Sequence, residues 1–162
     1  MGMEAQFKVL TDEELKMILE SPDKTEGLLF PDDVDDPFED QISLEKEWHA
    51  IHFFLTGELE RDGSIEGEAI LGGQEIGSDL GYGPARLINP TNVKAIADAL
   101  ESVDFLEWAN EYDENSENAD KVYGGISKEP FALDHQNGLF RKLNKMYGDA
   151  AKNNQAVLAY LC

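Results

Sequence analysis

Trp48-His49-Ala50-Ile51-His52-Phe53-Phe54-Leu55-Thr56-Gly57 is the stretch on which the fold turns. At 100° per residue, Leu44, Trp48, Ile51 and Leu55 share one helical face, Phe53 points to the opposite side and Phe54 lies between them. A helix apolar nearly all round must be buried on most sides. The spacing predicts a central helix over Leu44 to Thr56, capped by Ser43 and closed by Gly57.

That helix carries His49 and His52 into the interior, where an unpaired imidazole costs about 1–3 kcal/mol. Two readings follow. The histidines share a ligand, with Glu45 one turn before His49, or each holds a loop as a core residue. Zinc helices more often space their histidines at i, i+4, and no His-Glu-x-x-His occurs, so the second reading is favoured over a metal site.

Outward from this helix the chain alternates short elements. Phe7 to Leu10 reads as a strand. Thr11-Asp12-Glu13-Glu14 is a capping box for a helix that Ser21-Pro22 stops, with Leu10 and Leu15 at the staple positions. Asn89-Pro90 opens another helix, Asp104 with Glu107 a short one through Tyr112, and a long one lies between Pro130 and Lys152. Ala85 to Ile88 and Ala156 to Leu161 read as strands, the latter a compact apolar run expected at the sheet centre. Val122 to Ile126 reads as a short strand or turn.

Gly72 to Arg86 packs five glycines into a dozen residues and reads as an irregular loop. It lacks the Gly-Lys-Ser/Thr ending of a phosphate-binding loop and the helix that follows a dinucleotide fingerprint. Either it faces a ligand, with Glu75, Asp79, Tyr82 and Arg86 as polar groups, or it is a tight connection whose Arg86 pairs with nearby acids. The second is favoured on the abundance of acids.

Those acids set the charge. Of 162 residues, 34 are Asp or Glu and 13 Lys or Arg, a net charge of −21. A nucleic-acid binder needs a basic face, and anionic lipid repels such a chain. The excess concentrates between Glu20 and Glu47 and peaks at Asp32, Asp33, Asp35, Asp36, Glu39 and Asp40, a loop by its prolines. Its spacing does not fit a calcium loop. The lone cysteine, Cys162, excludes an internal disulfide or a thiolate zinc cage. No apolar run approaches a membrane span, and the first residues lack the pattern of a signal peptide, so a cytoplasmic, monomeric protein is expected. No motif calls for a cofactor or resident metal. His135 reads as a solvated surface residue.

The blocks Leu44-x-Lys46-x-Trp48-His49-x-x-His52-Phe53-x-Leu55-Thr56-Gly57, Leu71-Gly72-Gly73-x-Glu75-Ile76-Gly77 and Gly81-Tyr82-Gly83-Pro84-Ala85-Arg86 resemble the YfbM-like family of small bacterial proteins, domain of unknown function 1877. The resemblance spans nearly the whole chain. It implies one α+β domain over residues 1–162, helices packed around a small mixed sheet in a three-layer arrangement, and no reaction.

Two functions are therefore expected from the residues. One is an acidic inhibitor or immunity-like module, presenting the carboxylates of 32–40 to a basic protein partner. The other is a small-molecule site or enzyme built from Trp48, His49, His52, Glu75, Asp79, Tyr82 and Arg86, with histidine as acid/base and Arg86 as an anion clamp.

Overall fold

The computed structural model describes residues 2–113 and 115–162. Strands β1 (Ala5–Val9), β2 (Gln41–Glu45), β3 (Gln74–Asp79), β4 (Pro84–Ile88) and β5 (Val157–Leu161) form one sheet in the order β2-β1-β5-β4-β3. Every neighbouring pair is antiparallel, so the sheet is not mixed. No βαβ crossover joins neighbours. The β1–β2 and β3–β4 pairs are consecutive strands, and β5 runs antiparallel to both β1 and β4. The apolar run Ala156 to Leu161 thus supplies the central strand, buried on both faces as such a run must be.

Seven α-helices surround the sheet among the described residues: α1 (Asp12–Glu20), α2 (Thr25–Leu29), α3 (Trp48–Thr56), α4 (Ile65–Leu71), α5 (Pro90–Glu101), α6 (Phe105–Glu111) and α7 (Pro130–Lys152). The predicted caps form. Thr11 and Glu14 make the reciprocal box on α1, and Asn89 and Asp104 accept the backbone N–H groups of Asn92 and Glu107.

Alternation along the strands sorts the core into two layers. Ala5, Phe7, Ile88, Val157 and Ala159 pack against α3 to α7, while Leu10, Ala85, Leu158 and Tyr160 pack against Ile18 of α1 and Leu29 of α2. The result is a three-layer, single-domain α+β fold.

Three expectations are corrected. The central helix starts at Trp48, not Leu44, because Gln41–Glu45 is an edge strand in register with β1 (Phe7↔Ile42). Ser43 therefore caps no helix; its hydroxyl accepts from the Gln6 amide and from the Glu45 N–H. Leu44 still reaches the core, from a strand, and Glu45 turns the chain with φ 53°. The Gly-rich stretch is not one loop but the β3–β4 hairpin. Gly81 and Gly83, at φ 115° and 98°, hold the left-handed conformations that its turn requires. Sequence patterning also gave no sign of the short helices α2 and α4. Gly57 does close α3, at φ 77°.

Candidate functional site

α3 holds the segment that follows it by three side chains. His49 Nδ1 accepts the Tyr123 N–H at 2.8 Å, which leaves Nε2 as the donor to the Leu59 carbonyl, also at 2.8 Å. His52 Nε2 donates to the Glu60 carbonyl at 3.0 Å. The Thr56 hydroxyl accepts the Glu58 N–H at 3.0 Å. His52 is fully buried, and its Nδ1 has no protein partner. Burial pushes its imidazole below the usual value, so it is neutral near pH 7. Neither histidine has a free ring nitrogen in reach of a substrate, which corrects the expectation of an imidazole acid/base.

The clasped segment delivers Arg61. Its Nε and Nη2 grip the Glu68 carboxylate at 2.6 Å each, and Nη1 donates to the Gly73 carbonyl at 3.1 Å. This is a bidentate pair of the strong kind, so Arg61 is electrically answered. Arg86, on β4, is not. Its Nη1 donates to the carbonyls of Ile70 and Gly72, both at 3.0 Å, at the C-terminal end of α4. Tyr147 completes that helix end by donating to the Ala69 carbonyl at 2.6 Å. No carboxylate lies within 4.0 Å of Arg86 among the described residues, and its Nε and Nη2 have no protein acceptor, yet neither is sealed from solvent. Burial lowers the guanidinium from its usual value, the field of Arg61 adds to that, and Glu68 and Glu75 oppose it. The sequence expectation that Arg86 pairs with surrounding acids is therefore overturned, because Glu68 is already taken.

Arg86 lies on an open cleft of about 340 Å³ that it shares with Trp48, His49, Arg61 and Tyr82. The Trp48 and His49 rings stack at 4.7 Å and 13°. Of the residues expected to meet, Trp48, His49, Tyr82 and Arg86 line this cleft; His52, Glu75 and Asp79 do not. Asp79 accepts the N–H groups of Gly81 and Gly83 at 2.6 and 3.2 Å and so stabilises the hairpin turn. Glu75 stands opposite Arg86 in the β3–β4 register but lines a separate groove with Leu19 and Ile76. Arg61 escaped the sequence reading. The chain has only three arginines, Arg61, Arg86 and Arg141, so scarcity marks Arg61, but nothing local in the sequence brings it to Arg86 rather than to Arg141.

The acidic run lies elsewhere. Asp32, Asp33, Asp35, Asp36, Glu39 and Asp40 are exposed in the irregular segment between α2 and β2. Asp40 pairs with the buried Lys8, and Asp36 accepts the Phe38 N–H at 2.9 Å. His135 is on the surface, as expected, 2.9 Å from Glu45. Among the described residues no three His, Cys, Asp or Glu side chains are placed to hold a metal, and no helix is long and apolar enough to cross a membrane.

A family model described as a domain of unknown function, DUF1877, matches residues 1–160. The crystal structure of a protein of unknown function, YfbM from Escherichia coli, is similar at a TM-score of 0.66 and 20% identity, over 97% of this chain and 98% of that one. At that identity the likeness speaks for the fold. No curated protein matches the sequence.

Proposed function

The chain belongs to the DUF1877 family, whose description assigns no activity, and from the geometry of the cleft we propose that it binds a small anionic molecule through Arg86. One observation carries this reading. In a chain with 34 acidic side chains, the partly buried Arg86 has no carboxylate within 4.0 Å among the described residues, its Nε and Nη2 have no protein acceptor, and the residue lines the cleft. A guanidinium withdrawn from water without a counter-charge is costly, and an anion in the cleft would offset that cost. The α4 carbonyls answer one nitrogen; Nε and Nη2 remain for the two oxygens of a ligand. The reading concerns binding and assigns no reaction.

The test is a titration of the isotope-labelled protein with acetate, benzoate, sulfate and inorganic phosphate, followed by backbone amide shifts. Saturable shifts are expected at Gly72, Gly73 and Tyr82. They should weaken at least tenfold in Arg86→Gln, since a charged hydrogen bond contributes about 1.5–3 kcal/mol. Glutamine removes the charge and the fork and leaves a neutral amide in their place. Absence of saturable shifts with all four anions would overturn the reading.

A second reading is favoured by Val34 and Phe38, exposed at 46% and 39% amid the carboxylates of 32–40. Apolar groups framed by charge suit a basic protein partner. Changing Asp32, Asp33, Asp35 and Asp36 to Lys should then abolish recovery of a partner that the wild-type protein retains at low salt. Equal recovery by both proteins would sink it.

A further inference from the structure

We propose that the anion taken by the Arg86 cleft is a planar aromatic monocarboxylate, an inference that rests on the anion-binding reading above. The charge count comes first. Arg61 is neutralised by Glu68, so the lining offers one unanswered cation among the described residues. One cation balances one negative charge. A second charge on the ligand would face the field of a chain at −21, with Glu60 in the lining itself. This disfavours phosphate dianions and dicarboxylates.

Donor geometry agrees. Nε and Nη2 form one edge of a planar fork, and two parallel N–H groups match the two oxygens of a carboxylate. The walls then choose the remainder of the molecule. Leu59, Leu71, Pro84 and Leu161 give an aliphatic surface, Trp48 adds an aromatic one, and Tyr82 stands 55% exposed at the hairpin tip. A ring seated beside the fork would cover Tyr82 and remove apolar surface from water on both sides. At about 340 Å³ the cleft is at the small end for ligand sites, which fits one or two rings.

Benzoate, cyclohexanecarboxylate, acetate and inorganic phosphate, titrated calorimetrically into the wild-type protein, Tyr82→Ala and Arg86→Gln, test this. Tyr82 lies between two glycines at a turn tip, so its replacement leaves the core untouched. Benzoate is expected to bind at least tenfold tighter than acetate or phosphate, and about threefold or more tighter than cyclohexanecarboxylate. Tyr82→Ala should weaken benzoate about fivefold, erase its advantage over cyclohexanecarboxylate and leave acetate unchanged. Arg86→Gln should lose both carboxylates. Phosphate binding tighter than benzoate, or cyclohexanecarboxylate matching benzoate, overturns the aromatic monocarboxylate and leaves anion binding standing. No binding by any of the four, or benzoate binding indifferent to Arg86→Gln, overturns both.

Discussion

Phe54→Ala is expected to destabilise the protein by about 3–5 kcal/mol, the usual cost of deleting a buried phenyl ring. For a domain of this size that lowers Tm by on the order of 10 °C. Phe54 has no exposed surface. Its ring meets Phe105 edge-on at 5.9 Å and tilts against Tyr112 at 6.4 Å, and Phe105 stacks on Phe140 of α7 at 5.3 Å. The cavity would therefore open where α3, α6 and α7 converge, among side chains anchored on three separate helices that cannot all move in to fill it. Urea unfolding followed by circular dichroism measures the change. A loss under about 1 kcal/mol would mean that this corner collapses freely.

The second large effect is a loss of stability in mild acid, carried by His52. Because the folded-state value lies below the usual 6.5, the unfolded chain takes up this proton first as pH falls. The contribution of His52 is complete above about pH 6.5 and is lost progressively below it, at up to about 1.4 kcal/mol per pH unit for one proton. An opposing term exists. As carboxylates protonate, the repulsion within a chain at −21 relaxes and stability recovers. That recovery begins nearer pH 4, so the interval just below pH 6.5 isolates the histidine. His52→Gln removes the titration and keeps an amide to donate to the Glu60 carbonyl. Denaturant midpoints measured from pH 7.5 to 5 should fall for the wild-type protein and stay flatter for the variant. His49 and His135 are present in both, so the difference belongs to His52. Parallel profiles would refute the assignment.

Much of this fold could be read from the chain because its signals are local. The Thr11–Glu14 box, the Asn89-Pro90 start and Gly57 each act within one helical turn, and each stands where the residues place it. The edge strand Gln41–Glu45 was illegible for the opposite reason. Its residues continue the helical spacing of Trp48 to Leu55, and only pairing with β1, more than thirty positions away, makes them a strand. In the cleft, Trp48, Tyr82 and Arg86 stood out by type. The fates of His49 and His52 depended on which backbone carbonyls would arrive beside them, and those belong to a segment without periodicity. That Arg86 has no carboxylate partner among the described residues could not be read at all, because the nearby Glu68 is held by Arg61.

The place of β5 makes the whole sheet depend on one strand. β3 and β4 form a hairpin from adjacent chain, whereas β1 and β2 are more than thirty residues apart, and neither pair is hydrogen-bonded to the other. The strand that joins them is the last of the five to leave the ribosome. Without Val157–Leu161, β1 and β4 each keep an unpaired edge, and the β1–β5 pairing closes a loop of about 150 residues, the kind of long-range contact that slows folding. Loss of that strand would leave β1 and β4 with open hydrogen-bonding edges, a template for pairing with another chain.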